Sequence, residues 1–134
     1  MRYLLDTNIC IYLLKAHPPG LLARLSALDH GDAVMSVVVY AELRAGLEMQ
    51  AATRAQNAAA LRLLTEEIPV LPFDTAAAEH YGLLRVAVRD RRRDALDRLI
   101  AAHAASLGLT LVTNNEADFH DYPGLSVENW AATA

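Results

Sequence analysis

Short apolar segments alternate with longer helical segments along this chain, and this alternation limits the folds available to it. Four segments are short enough and apolar enough for buried strands, and a fifth candidate follows near the end; they cover residues 2–5, 33–37, 68–73, 109–113 and 125–129. Strands that alternate with helices are typical of a parallel sheet covered by helices. The sequence therefore predicts an α/β fold built on a parallel sheet of four or five strands.

Helical segments fill the intervals between these strands. We predict helices at residues 7–15, from the turn at 17–20 to about 28, and at 38–49, 51–67, 75–89 and 95–107. Ser36 and Asp74 are suited to cap the helices that follow them, and Asp94 is a candidate cap for the last helix. Gly108 is suited to end that last helix. These signals fix the order of the elements better than their exact ends.

Composition is compatible with one globular domain. The chain has 134 residues, of which 54% are hydrophobic, and its formal net charge is −4. We expect a single domain over residues 1–134, long enough for one core. No apolar run approaches the ~18 residues of a membrane span, and one cysteine cannot form an internal disulfide. We therefore expect a cytoplasmic protein.

Polar residues stand directly after two of the predicted strands. Asp6 follows the first strand, and a polar segment at 114–118 follows the fourth. Ligands of parallel α/β sheets bind beyond the carboxyl ends of the strands, where the strand order reverses. The sequence therefore predicts a functional site at this edge of the sheet.

Each acidic residue near this edge also has an ordinary structural interpretation. Asp6 can cap a helix, Asp94 and Asp97 can form a capping box, and Asp118 can belong to a solvated turn. Glu42 is different, because residues three and four positions away on its helix include no cation. A half-buried carboxylate of this kind needs a partner from elsewhere in the fold, or a metal ion.

Together these acids suggest a hard-metal site. Mg²⁺ takes oxygen ligands and combines a few carboxylates with substrate phosphates. Two such ions about 4 Å apart can stabilise the attacking and leaving oxygens of a phosphodiester. The sequence shows no zinc spacing among its histidines, no glycine-rich phosphate loop and no nucleophile motif. We interpret His103 as a core-lining histidine or one that supports metal ligands.

Arginines are concentrated in one segment, "RVAVRDRRRDALDR", which includes Asp97. Its six arginines are Arg85, Arg89, Arg91, Arg92, Arg93 and Arg98. The segment is either a solvated helix end, paired with its own aspartates, or a surface that contacts RNA phosphates. Both interpretations remain open at this point.

Four blocks of sequence resemble PIN-domain ribonucleases, and most closely the VapC-type toxins of bacterial toxin–antitoxin pairs. These blocks are "LLDTNICIYLL", "SVVVYAELRAGLE", "DRLIAAHAASLGLTLVTNNEADF" and "PGLSVENW", in the order and at the spacing of the family. The resemblance implies a three-layer α/β/α sandwich with a central, mainly parallel sheet. It also implies an endoribonuclease dependent on Mg²⁺ or Mn²⁺, acting on structured RNA such as tRNA. Its implied partners are a cognate VapB antitoxin and a second copy in a homodimer.

The resemblance also implies roles for individual residues. Asp6, Glu42 and Asp97 match the first three metal-binding acids of the family. Asp118 is our choice for the fourth, with Asn115 and Glu116 as the alternatives. Thr7, Asn8 and Thr113 match positions that orient the acids, and Asn115 lies beside them. Leu96 departs from the family, where asparagine is common, so the role of Asp94 stays open.

Three rival functions follow from the same residues. One is a metal-free ribonuclease that uses His103 as general base and leaves cyclic-phosphate ends. Another is a non-catalytic α/β module that binds nucleic acid or protein, its acids acting as caps and ion pairs. The third is a nuclease that cleaves DNA. End chemistry, metal dependence and a substrate panel distinguish them.

Overall fold

A computed structural model describes residues 1–16, 18–90 and 95–130. These described residues form five strands: β1 (Tyr3–Leu5), β2 (Ala33–Ser36), β3 (Val70–Leu71), β4 (Thr110–Val112) and β5 (Val127–Glu128). Six helices accompany them: α1 (Thr7–Leu14), α2 (Pro19–Ser26), α3 (Val37–Glu48), α4 (Arg54–Glu67), α5 (Thr75–Ala87) and α6 (Ala95–Leu107). Two short 3₁₀ turns cover Ala51–Thr53 and Glu116–Asp118. The predicted alternation of strands and helices is confirmed.

The five strands form one sheet in the order β3-β2-β1-β4-β5. Every neighbouring pair is parallel, with Leu4 opposite Val34 on one side and Leu111 on the other. The predicted α/β/α sandwich with a central parallel sheet is therefore confirmed. The chain builds outward from β1 to β3 and then returns to the other side of β1. The strand order thus reverses between β1 and β4, where a parallel sheet opens its ligand crevice.

The core lies on both faces of this short sheet. Leu4, Leu5, Met35, Leu111 and Val112 are fully buried on the central strands. Helices α1, α3 and α6 contribute further buried side chains, and the tight pairing of α5 with α6 adds another layer. None of the helices among the described residues is both long and apolar enough to cross a bilayer. The central strands are thus held rigidly where their carboxyl ends form the crevice.

The predicted caps of two helices are confirmed. The Ser36 hydroxyl accepts from the Val38 N–H at the start of α3, and the Asp74 carboxylate accepts from the Ala77 N–H at the start of α5. The predicted cap Asp94 lies outside the described residues. Gly108 follows α6 with a φ of 66°, the left-handed conformation that glycine adopts easily at a helix end.

Several elements are shorter than the sequence predicts. The predicted strand at 68–73 narrows to β3, because Pro69 and Pro72 bracket it and lack the N–H needed for a ladder. The predicted helix at 51–67 divides into a 3₁₀ turn followed by α4. These differences change the ends of the elements but not their order.

Candidate active site

Asp6 stands at the point where the strand order reverses. It follows β1 directly, and its backbone N–H donates to the Val112 carbonyl of β4 at 3.0 Å. Its carboxylate accepts from the Ile9 N–H at 2.9 Å and so caps α1. The side chain is only 5% exposed. The interpretation of Asp6 as a helix cap is therefore confirmed, and its position in the crevice also suits a ligand-binding role.

The surroundings of Asp6 make its negative charge costly. Burial is the largest effect and raises the pKa of the carboxyl group above its usual value. Hydrogen bonds from the Thr113 hydroxyl and the Ile9 N–H lower this pKa, and the nearby charge of Glu42 raises it again. A cation between two carboxylates that repel each other stabilises the charged form of both.

Glu42 reaches the crevice from α3 and is held there by α1. The Thr7 hydroxyl donates to Glu42 Oε1 at 2.6 Å, across 35 positions of sequence. Thr7 is the first residue of α1 and follows Asp6, so the two carboxylates approach the same turn from two elements. The predicted partner of Glu42 from elsewhere in the fold is thus the Thr7 hydroxyl.

A second chain of hydrogen bonds leads from Asp6 to Asp118. Thr113, fully buried at the end of β4, bonds the Asp6 carboxylate, and its oxygen accepts from the Asn115 N–H at 3.0 Å. The Asn115 side-chain amide donates to Asp118 Oδ2 at 2.5 Å. Thr113 therefore connects the first predicted acid to the segment that carries the fourth.

Two further predicted site residues, Asp97 and Asn8, lie in the first turns of two different helices. Asp97 lies half-buried in the first turn of α6, and Asn8 is exposed in the first turn of α1. Within residues 1–16, 18–90 and 95–130, no three His, Cys, Asp or Glu side chains converge into a metal-binding group. The structure thus brings Asp6 and Glu42 together, and the predictions for Asp97 and Asp118 as metal ligands stay predictions.

The paired carboxylates suit a hard divalent cation. Mg²⁺ keeps several waters and needs only one or two carboxylates from the protein. Within the described part of the chain, no arginine or lysine forms a salt bridge with Asp6 or Glu42. Oxygen donors without a basic partner are the set that Mg²⁺ or Mn²⁺ prefers, so these residues fit the metal that the sequence predicts.

The structure describes three of the six arginines that the sequence predicts for RNA contact. Arg89 is exposed beyond the end of α5, and the half-buried Arg85 side chain donates to the Arg89 carbonyl at 3.0 Å. Arg98 is only 2% exposed, because it lies on the inner face of α6. Its burial gives no support to the predicted RNA contact of Arg98, which stays a prediction. Arg91, Arg92 and Arg93 lie outside the described residues.

His103 is a buried structural residue. Its ring is 2% exposed, its Nδ1 lies 2.7 Å from the Ser36 hydroxyl oxygen, and Phe73 packs edge-on against it. Burial lowers the pKa of the imidazole, with the charge of Asp74 opposing that shift. The interpretation as a core-lining histidine is confirmed. A metal-free ribonuclease with His103 as general base is unsupported, because the ring is closed off from solvent.

The structure adds contacts that the sequence did not indicate. The Asn114 side-chain amide donates to the Tyr12 hydroxyl at 2.8 Å, joining the end of β4 to α1. The Ser36–His103 contact joins residues 67 positions apart. No spacing rule connects such distant positions, so these pairs had no sequence signal beyond the polarity of their members.

An apolar groove adjoins Glu42. It has a volume of about 340 Å³, and Glu42 is among the residues that line it. Its apolar lining comes from α1, α3 and α4: Ile11, Leu14, Leu43, Leu47 and Leu61. The side chain of Glu42 and this apolar groove therefore form one continuous surface.

The chain is thus a parallel α/β domain that carries two neighbouring carboxylates, Asp6 and Glu42, at its crevice. The PIN domain family matches residues 3–125, and the chain belongs to that family. It is 36% identical over 133 residues to a protein of Shigella flexneri named tRNA(fMet)-specific endonuclease VapC, covering 98% of this chain and 99% of that one.

Solved structures agree with this assignment to the PIN domain family. The chain is similar to VapBC2 from Rickettsia felis bound to a promoter DNA fragment, with a TM-score of 0.88 and 32% identity over 97% of this chain and 99% of that chain. It is equally similar to DNA-bound VapBC from Salmonella typhimurium, with a TM-score of 0.88 and 33% identity over 97% and 98%. The predicted family is confirmed.

Proposed function

We propose that this chain is a VapC-type endoribonuclease toxin that hydrolyses RNA with Mg²⁺ or Mn²⁺ and is neutralised by a VapB-type antitoxin. The observation that carries the proposal is the Asp6–Glu42 pair at the β1–β4 crevice, in a PIN domain related along its whole length to VapC ribonucleases. The proposed setting is the cytoplasm. The site chemistry supports the metal, and the relatives support the toxin–antitoxin assignment.

Asp6 and Glu42 would hold the metal, with Asp97 and Asp118 completing the acidic set. A bound divalent ion supplies charge stabilisation and an activated water for phosphodiester hydrolysis. Thr7 fixes the rotamer of Glu42, and Thr113 fixes that of Asp6, so both carboxylates are oriented before the metal arrives. Hydrolysis by this route leaves 5′-phosphate and 3′-hydroxyl ends.

The proposed substrate is a structured RNA, with tRNA as the leading candidate. A relative with 36% identity is named a tRNA(fMet)-specific endonuclease. Unpaired loop nucleotides are the part of such RNAs that proteins reach most easily. The exposed Arg89 and the neighbouring Arg85 would hold the phosphate backbone, with Arg91, Arg92 and Arg93 as further candidates.

The antitoxin would cover the crevice and the apolar groove together. An acidic pocket attracts arginine or lysine through charge-assisted hydrogen bonds, and the adjoining apolar lining can bury nonpolar side chains. A VapB-type segment with a basic residue near apolar residues fits both features. For the homodimer, the supporting feature is the pair Leu83 and Val86 on α5, which are 68% and 66% exposed.

Cleavage by an Asp6→Ala variant tests the proposal. The purified chain is incubated with total tRNA in Mg²⁺, in Mn²⁺ and in EDTA, and the RNA ends are sequenced. We expect Asp6→Ala to lose at least a thousandfold in cleavage rate while keeping its fold by circular dichroism, because it removes a central metal ligand. Asp29→Ala is the matched control, an exposed aspartate remote from the crevice.

Four results would contradict the proposal. Full-rate cleavage by Asp6→Ala removes the carboxylate pair from the mechanism. Activity in EDTA with cyclic-phosphate ends indicates metal-free chemistry. If the purified chain cleaves no RNA and binds no Mn²⁺, it is a binding module. If it cleaves DNA but not RNA, its substrate is DNA.

A further inference from the structure

One hydrogen bond joins the helices that carry the second and third predicted acids. The Ser36 hydroxyl caps α3, which carries Glu42, and lies 2.7 Å from Nδ1 of His103 on α6, which carries Asp97. Both side chains are buried, and α3 packs against α6. The bond therefore fixes one point of contact between these two helices.

The two acids lie equally far along their helices from this bond. Glu42 comes six residues after Ser36, and Asp97 comes six residues before His103. At a rise of 1.5 Å per residue, each acid is about 9 Å along its helix from the shared contact. A shift or rotation at the contact changes the separation of the carboxylates directly, because neither helix has a break between the bond and its acid.

The surroundings hold the imidazole in one orientation. The Ser36 oxygen accepts from the Val38 N–H and also lies within hydrogen-bond distance of Nδ1 of His103, and a hydroxyl can donate to that nitrogen or accept from it. Phe73 packs edge-on against the ring with centroids 5.4 Å apart. A buried ring that bonds Ser36 and packs against Phe73 suits a fixed spacer between the helices.

We infer that His103 is a positioning residue for the metal site, whose bond to Ser36 holds α6 against the start of α3 and so fixes the gap between Glu42 and Asp97. This inference rests on the proposed metal-dependent function. His103 itself contacts neither RNA nor metal in this role. Its effect reaches the site only through the placement of the two helices.

Mn²⁺ binding to the purified chain, measured by isothermal titration calorimetry without RNA, tests the inference. His103→Leu removes the acceptor but keeps an apolar side chain, and we expect Mn²⁺ affinity to fall ten- to a hundredfold. His103→Asn keeps an acceptor near the Nδ1 position and should bind Mn²⁺ within about threefold of the unaltered chain. Ser36→Gly removes the bond from the other side, where glycine is tolerated as a cap, and should match His103→Leu.

A matched control separates positioning from stability. Ile100→Ala removes buried volume from the same helix without touching the bond, so it should lower Tm but leave Mn²⁺ affinity unchanged. The inference is overturned if His103→Leu and Ser36→Gly bind Mn²⁺ like the unaltered chain, or if Ile100→Ala loses as much affinity. If the unaltered chain binds no Mn²⁺, the metal-dependent function fails and the inference fails with it.

Discussion

Asp6 combines two tasks that place opposite demands on a carboxylate. As a cap it needs only an oxygen that accepts from Ile9, which an amide can supply. As a metal ligand it must be charged, although burial and Glu42 make that charge unfavourable in the metal-free chain. The residue therefore costs stability at the position where function requires it, as is common at active sites.

Replacing Asp6 with asparagine should stabilise the metal-free protein. Asp6→Asn keeps the cap and removes the charge, and we expect a higher free energy of unfolding at neutral pH, because burial and Glu42 disfavour the charged carboxylate. Because the folded-state pKa of Asp6 is raised, its penalty is absent below the unfolded value and grows as pH rises through the folded pKa. Urea unfolding at several pH values in EDTA measures this, and the gain should shrink as the pH falls. An asparagine variant less stable than the parent at pH 7 would contradict the argument.

The elements were more predictable than the contacts between them. The periodicity of the hydrophobic residues, together with prolines and glycines at the turns, indicated the described strands and helices in order, because those signals are local. Glu42 was identifiable because the residues three and four positions away on its helix include no cation, whereas its actual partner Thr7 lies 35 positions away. The run of charged residues around Arg98 suggested an exposed side chain, whereas Arg98 is buried. Its spacing to the buried Ala101 and Ala102 puts it on the inner face of α6.

The cap of α5 offers a test at the level of one element. Asp74→Ala removes the acceptor of the Ala77 N–H, which should cost about 1 kcal/mol of unfolding free energy. Asp74→Ser supplies another capping oxygen and should recover most of that loss. Neither change touches Asp6 or Glu42, so Mn²⁺ affinity should stay the same. Equal stability of the alanine variant and the parent in urea unfolding would show that this cap contributes nothing.

At the scale of the whole molecule, the sheet brings distant segments to one crevice. Asp6 follows β1 and Thr113 follows β4, and the parallel pairing of these strands brings both to the same edge. Glu42 reaches this edge from α3 through its hydrogen bond with Thr7. A metal ion held there by Asp6 and Glu42 would link the end of β1 to α3. Since unfolding separates these segments, the proposed ion would bind the folded chain and not the unfolded one, and metal binding would be coupled to global stability.

This coupling predicts a metal-dependent shift in thermal unfolding. At a free Mn²⁺ concentration of 100 times Kd, the folded chain gains about 2.7 kcal/mol, which for a domain of this size raises Tm by about 10 °C. Calorimetry with and without Mn²⁺ measures the shift, and EDTA should reverse it. Asp6→Asn should show no shift although it is the more stable protein without metal, since the charge that destabilises the fold is the one the ion requires. A shift of equal size in Asp6→Asn would place the ion elsewhere on the chain.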